Sequence, residues 1–319
     1  MADTLPKPID SVQTPRFGAI ATFMRLPHIT DPTQLDIALI GVPWDGGTTN
    51  RPGARHGPRQ IRDMSSMMRR VNPSTKVAPF ELARVADIGD APCNPIDLMD
   101  SLGKIEAFYA MVHAAGCMPL TAGGDHLITL PIFRAIARAR PVGMIHVDAH
   151  CDTNDTYFGG HRYTHGTPFR RAVEEGLLDP KRTVQIGIRA SMYKPDDNAF
   201  SHDSGMRVIE MDEVERIGMD AVIAEVRRVA GDGPTYVSFD VDGLDPAFAP
   251  GTGTPETGGL TTREGLTLLR GLRGLDLVGG DVVEVSPPFD PSGNTALVGA
   301  TMMFEIMCLL AERVGRRRG

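Results

Sequence analysis

A chain of 319 residues with 41% hydrophobic and 23% charged side chains has ordinary globular composition and enough length for a large core. Its net charge is −7, and its basic residues are scattered apart from Arg316, Arg317 and Arg318; this excludes a nucleic-acid surface, which needs a basic face for phosphates, and leaves the terminal triplet as a frayed, solvated tail. No apolar run approaches the ~20 residues of a membrane span and no apolar signal core opens the chain, so a soluble cytoplasmic protein without membrane or nucleic-acid partners is expected.

Residues 1–34 are rich in Pro and turn residues, lack a sustained period and read as an N-terminal arm that wraps the domain or a neighbouring subunit. A first strand follows over Leu35 to Val42, closed by Pro43. The glycine-rich stretch from Trp44 to Pro58 lacks the Gly-Lys-Ser/Thr close of a phosphate-binding loop. It reads as a structured loop at the carboxyl edge of a sheet, where open α/β sheets hold ligands, and Pro58 opens a helix. Further strands are expected at Arg84 to Ile88, Cys117 to Thr121, Val142 to Asp148, Thr183 to Ile188, Arg207 to Ile209, Thr235 to Asp240 and Leu277 to Val285. Between them lies a helix from about Pro95 to Ala115, with Leu98, Leu102, Ile105, Phe108, Met111 and Val112 at helical spacing and Gly116 as its cap. Helices are also expected at Leu130 to Arg138, Phe169 to Glu175, Met219 to Val229, Arg263 to Leu272 and Ala300 to Arg313. This alternation implies a three-layer α/β/α fold with a mostly parallel eight-stranded sheet, and the lack of a linker-like break makes residues 1–319 one domain.

The cysteines Cys93, Cys117, Cys151 and Cys308 show no paired spacing and fit a reducing compartment. Three strand ends carry the chemistry. Asp148, His150 and Asp152 alternate after an apolar run, so extended backbone points all three one way and turns Cys151 aside. His126 ends the third strand, and Asp240 and Asp242 end the seventh; parallel strands bring these ends to one edge. Each piece alone is weak, since Gly-Gly-Asp-His or Asp-x-Asp is commonly a polar turn. Together, four carboxylates and two imidazoles beside buried strands are costly unless cations sit between them. The set is oxygen-rich and has no thiolate, which suits Mn²⁺ over structural zinc. Six residues exceed what one open catalytic ion needs, so two ions are expected, lowering the pKa of water to furnish a nucleophile.

The segments Gly123-Gly124-Asp125-His126, Asp148-Ala149-His150-Cys151-Asp152 and Ser238 to Pro246, with Ala249 to Pro255 and Glu284 to Pro287, resemble the signature segments of the ureohydrolases, the arginase and agmatinase family. The layout is similar from about Phe17 to Leu310, and within the family the likeness is to the bacterial guanidinopropionase and guanidinobutyrase type. The resemblance implies an arginase-like fold and an enzyme with two Mn²⁺ per subunit that hydrolyses a guanidinium group to urea and an amine. It also implies a homo-oligomer built on trimers, often a hexamer. By position, His126, Asp148, Asp152 and Asp240 would hold one ion, and Asp148, His150, Asp240 and Asp242 the other. His165 matches a proton-shuttling histidine, a role its near-neutral pKa suits; the plainer reading is a hydrogen-bonded loop histidine. Glu284 matches the acid that pairs with the guanidinium, where the plainer reading is a strand-end salt bridge. Asp152 is placed to pass a proton to the leaving amine.

The substrate tail falls to the loop Thr153 to Thr164, with Asn154, Tyr157, His161 and Arg162 as binding candidates beside Glu284, and Asn50 and Arg51 as contributors. A carboxylate tail wants cationic or neutral donors and an ammonium tail wants an acid. Asp155 is the one acid in the loop, so 3-guanidinopropionate is expected first, giving urea and β-alanine, then 4-guanidinobutanoate, then agmatine. His28, His56, His113 and His202 read as loop or surface residues and His146 as a core histidine. The rival classes are another metal-dependent amide or ester hydrolase and a non-catalytic binder.

Overall fold

Along β1 (Ile37–Gly41), Ile37 and Leu39 enter one buried cluster while Ala38 and Ile40 enter another. This is the period of two that a strand covered on both faces requires. The computed structural model describes residues 5–318 and adds β2 (Val85–Asp90), β3 (Met118–Ala122), β4 (Val142–Val147), β5 (Leu178–Ile188), β6 (Arg207–Glu210), β7 (Thr235–Asp240) and β8 (Leu277–Val283). All neighbours pair in parallel, in the order β2-β1-β3-β8-β7-β4-β5-β6. Each strand foreseen from sequence is present. The largest shift is in β5, which starts at Leu178 because that residue pairs with Val142 of β4.

The helices are α1 (Gly57–Met64), α2 (Pro79–Leu82), α3 (Leu98–Ala114), α4 (Thr129–Ile136), α5 (Pro168–Glu174), α6 (Ala199–Ser204), α7 (Met211–Ile217), α8 (Met219–Ala230), α9 (Thr262–Gly271) and α10 (Asn294–Arg318). Ile61 of α1, Val226 of α8, Leu268 of α9 and Ile306 of α10 pack into one apolar layer; Ile105 of α3, Phe133 of α4 and Phe169 of α5 pack into the other.

Two expectations change here. Helix α10 begins at Asn294 rather than Ala300 and, at 25 residues with an 18-residue window of mean hydropathy 1.5, is long and apolar enough to cross a membrane by length and composition. Its apolar residues are instead buried between the sheet and α1, α2 and α9. The terminal arginines are docked, not frayed: Arg318 pairs with Asp36 at 2.8 Å and Arg316 donates to the Leu275 carbonyl at 3.3 Å.

Residues 1–4 of the expected arm lie outside the described residues. Farther along, the Ile29 N–H donates to the Asp87 carbonyl and the Asp87 N–H to the Pro27 carbonyl, so the arm covers the edge left by β2. The Asp87 carboxylate takes the Phe23 N–H at 3.0 Å and the Arg62 guanidinium at 2.8 Å. Phe23, Met24 and Leu26 are buried there.

Candidate active site

The four central strands, β3, β8, β7 and β4, are consecutive neighbours. His126 opens a turn after β3, Glu284 follows β8, Asp240 ends β7 and Asp148 follows β4. Strand order therefore delivers all four to one edge. The turn at His126 is capped by Asp125, whose carboxylate takes the Leu127 N–H at 3.1 Å and reaches across to the Gly47 N–H at 2.6 Å. Gly124 permits this approach, because a Cβ there would sit 1.6 Å from the Trp44 carbonyl oxygen. The glycine-rich loop is thereby fastened over the site.

His126 Nδ1 lies 3.0 Å from Asp148 Oδ2, 3.0 Å from Asp152 Oδ2 and 3.2 Å from Asp240 Oδ2. His150 Nδ1 lies 3.3 Å from Asp148 Oδ1 and 3.2 Å from Asp242 Oδ2. Asp148 thus offers one oxygen to each group. Asp240 gives Oδ2 to the first group, while its Oδ1 takes the Asp242 N–H at 2.8 Å. Asp152 holds its place with φ +52°, a conformation that carries strain in a non-glycine residue.

Hydrogen bonding assigns the His126 tautomer. Ser238 gives its proton to Asp281 at 2.7 Å and so accepts from His126 Nε2 at 2.8 Å. That leaves Nδ1 as a bare lone pair, buried and without a hydrogen-bond partner, facing three carboxylate oxygens. Four lone-pair atoms converging in a dry site repel one another unless a cation sits among them. Burial and the Asp242 and Asp148 charges push the Asp240 carboxyl well above its usual range. Burial opposes a charged His126, but its three carboxylate neighbours outweigh burial and raise it. A divalent ion reverses both tendencies, so the residues fit one.

Glu284 also has positive φ, +63°. Its Oε1 takes the His126 main-chain N–H at 2.9 Å and His165 Nδ1–H at 2.8 Å. Its Oε2 is buried with no partner, a carboxylate oxygen held ready for a donor from outside the chain. His165 Nε2 receives the Thr49 main-chain N–H at 3.1 Å and lies 2.7 Å from Thr49 Oγ1. Burial opposes a proton on His165, but Glu284 lifts its pKa to about 9; the Thr49 N–H is aimed against a proton on Nε2.

A cavity of about 630 Å³ opens over these groups, lined by His150, Asp152, His165, Asp240 and Asp242 and, around its mouth, by Asn154, Tyr157, Tyr193 and Glu256. Asn154 and Tyr157 therefore reach it. His161 and Arg162 do not: His161 is exposed and closes a turn with Tyr157, while Arg162 is paired to Glu174 at 2.7 Å. Arg51 is at the wall, but its guanidinium is spent on the Thr252 and Gly253 carbonyls and stacks on Phe289. The Cys151 side chain packs with Ile188 and Val208, and burial raises its thiol to about 12.

Thr49, Ser238, Asp281 and the mouth residues Met192 and Tyr193 escaped the sequence reading. Ser238 left a usable signal, since it lies two residues before Asp240 on a strand and shares its face. Thr49 left none beyond membership of a glycine-rich loop.

The sequence model of the family described as the arginase family matches residues 35–309. The chain is 67% identical over 316 residues to guanidinopropionase of Pseudomonas aeruginosa, covering 99% of both chains. It is 51% identical over 320 residues to guanidinobutyrase of the same organism, covering 99% of this chain and all of that one. The solved proclavaminate amidino hydrolase of Streptomyces clavuligerus superposes with a TM-score of 0.90 at 42% identity, covering 93% of this chain and 99% of that one. The His and Asp clusters at the ends of β3, β4 and β7 thus sit in a fold and a sequence shared along nearly the whole length, and the chain belongs to the arginase family.

Proposed function

We propose that this chain hydrolyses a guanidino compound to urea and a primary amine, using two Mn²⁺ ions held by His126, Asp148, Asp152 and Asp240 on one side and His150, Asp148 and Asp242, with Asp240, on the other. The carrying observation is the sharing of Asp148 between two histidine-carboxylate groups, with the free Glu284 Oε2 beside them. Four carboxylates balance two divalent charges, and oxygen and imidazole donors without thiolate suit manganese. Bound there, the ions supply a nucleophile from water at neutral pH and polarise the group under attack.

The chain's own residues do the rest. Glu284 pairs with the guanidinium N–H groups, fixing a planar cation whose carbon is a poor electrophile in water. Asp152, beside His126 and at the cavity wall, accepts a proton and returns it to the leaving amine. His165, tied to Glu284 and Thr49, carries protons between the wall and solvent. Asn154 and Tyr157 offer neutral donors to the tail, which supports a short guanidino acid; 3-guanidinopropionate is the first choice, in keeping with the 67% identity to a guanidinopropionase. One observation favours agmatine instead: the acids Asp197 and Glu256 line the same cavity and would attract an ammonium tail.

Urea release from 3-guanidinopropionate, 4-guanidinobutanoate and agmatine, measured with Mn²⁺ alongside metal analysis, tests the reading. Absence of urea from all three rejects the reaction, and a strong preference for agmatine rejects the guanidino acid.

A further inference from the structure

Beneath the candidate ligands runs a row of polar side chains. Thr121, Asp281, Ser238, His146 and Gln185 are register partners across β3, β8, β7, β4 and β5. All five face one layer, and all are fully buried. Ser238 and Asp281 act on His126, as described above. Gln185 and His146 have no part in the proposed reaction, yet burying such polar groups this close to a charged site is costly, and the Gln185 amide oxygen is left without a partner.

Their bonding is forced by donor counting. Gln185 Nε2 lies 2.6 Å from the Cys151 carbonyl oxygen and 3.0 Å from His146 Nδ1. A carbonyl only accepts, so the nitrogen end of the amide must point there, and its second N–H is left for His146. Nδ1 is then an acceptor, which places the ring proton on Nε2, 2.7 Å from Asp148 Oδ2. His146 therefore donates to Asp148 and is not itself a ligand, although it lies within one close group with His126, Asp148 and Asp152. The Phe169 ring covers both histidines, 4.5 Å from His146 and 5.0 Å from His126.

One amide thus governs two residues on the same side of the site. Through His146 it holds Asp148 Oδ2 at 3.0 Å from His126 Nδ1. Through the Cys151 carbonyl it holds the peptide that leads into left-handed Asp152, a conformation that persists only where the surroundings enforce it. We propose that Gln185 and His146 are positioning residues that set the affinity of the metal pair and keep it bridged, acting through Asp148 and Asp152. The proposal rests on the two-ion reading above.

The test uses the full chain, freed of metal, with Mn²⁺ titrated by calorimetry, low-temperature EPR for an exchange-coupled pair, and melting of the metal-free protein. His146→Phe removes the donor, and His146→Gln restores an N–H at comparable reach. Gln185→Met removes both amide donors at similar volume and frees His146 to adopt the tautomer whose Nε2 lone pair faces Asp148. Loss of an outer partner of a metal ligand typically weakens metal binding about 10–100-fold. The Phe and Met variants are expected to bind at least one Mn²⁺ more weakly by that factor and to lose the coupled signal at Mn²⁺ levels that saturate the wild type, while His146→Gln recovers most of both. If the Phe and Met variants keep both affinities and the coupled signal and change only the metal-free melting, the pair is packing alone and the proposal is overturned. Should His146→Phe not fold, Gln185→Met decides alone. A wild-type chain that fails to take up two ions overturns the two-ion reading itself, a result visible before any variant is made.

Discussion

Glu284→Gln separates what the carboxylate does for the fold from what it does for a substrate. On the fold side, Oε1 accepts two buried donors, the His126 N–H at 2.9 Å and His165 Nδ1–H at 2.8 Å. A glutamine carbonyl in that position accepts both, so melting should stay close to wild type above pH 9, where His165 carries no charge for Glu284 to stabilise. On the substrate side, Oε2 has no partner in the chain, and the substitution puts an amide N–H₂ there, facing the N–H groups of a guanidinium. A hydrogen bond to a charged group is worth about 1.5–3 kcal/mol, and each 1.36 kcal/mol is a factor of ten, so losing one such bond costs about 10–150-fold in kcat/KM. The opposed N–H groups add to this. Glu284→Ala differs in kind: it strands both buried donors, at about 1–3 kcal/mol each, and lowers the melting temperature as well. The assay is steady-state urea release from 3-guanidinopropionate with saturating Mn²⁺, paired with thermal melts. A Gln variant within about threefold of wild-type kcat/KM would refute the assignment of Glu284 to the guanidinium.

Stripping metal with a chelator should abolish urea release and lower the melting temperature; Mn²⁺ restored to 100 times its Kd returns about 2.7 kcal/mol per site, and activity surviving in metal-free protein would sink the two-ion reading. Buried Arg171 holds the loop that carries Asn154 and Tyr157, donating to Asp155 Oδ1 at 2.8 Å and to the Asp155 carbonyl at 3.0 Å. Arg171→Lys keeps the charge but not the fork, so KM should rise roughly tenfold, the worth of about one hydrogen bond, with a smaller change in kcat; an unchanged KM would place that loop outside substrate recognition. In metal-free protein the folded pKa of His165, about 9, lies above its ordinary 6.5. A raised pKa stabilises below the unfolded value, and that contribution disappears as pH climbs through the folded one. The stability gap between wild type and His165→Phe should therefore narrow between pH 6.5 and pH 9, by on the order of 3 kcal/mol; a gap that stays constant across the window would show that the Thr49 N–H keeps the ring neutral throughout.

Much of the site was legible because its residues stand at or just past strand ends, which parallel strands bring to one edge. Asp148, His150 and Asp152 do meet there, although β4 ends at Val147 and Asp152 is left-handed rather than extended, so alternation named the right residues without giving their backbone; the eight strands themselves were readable from their β-type runs. What local pattern does not carry is the lateral order of the sheet. Gln185 meets His146, 39 residues away, and Asp281 meets Ser238, 43 residues away, only because β8, β7, β4 and β5 are neighbours. A buried glutamine in a strand looks like an ordinary polar residue until its register partner is known. The start of α10 was hidden for a different reason. Asn294 follows three prolines closely, and the helix can begin there because Asp290 turns back to take the Thr295 N–H at 2.6 Å.

The substrate loop failed in a way that bears on specificity. Counting cations by type made Arg162 and Arg51 tail-binding donors, yet Glu174 claims the first and main-chain carbonyls claim the second. Arg189, behind the β7 turn, is likewise consumed by the carbonyls of Asp242, Leu244 and Glu256. Among the described residues, Asn154 and Tyr157 line the cavity and their side chains make no hydrogen bond within the chain. A carboxylate tail here is therefore met by neutral donors, whose bonds are directional and short in reach, rather than by a long-range charge. Between guanidino acids such a site discriminates by tail length, because a carboxylate one methylene too far loses a hydrogen bond while a salt bridge would merely weaken. A short guanidino acid and its longer homologue should thus separate mainly through KM when Asn154 or Tyr157 is altered.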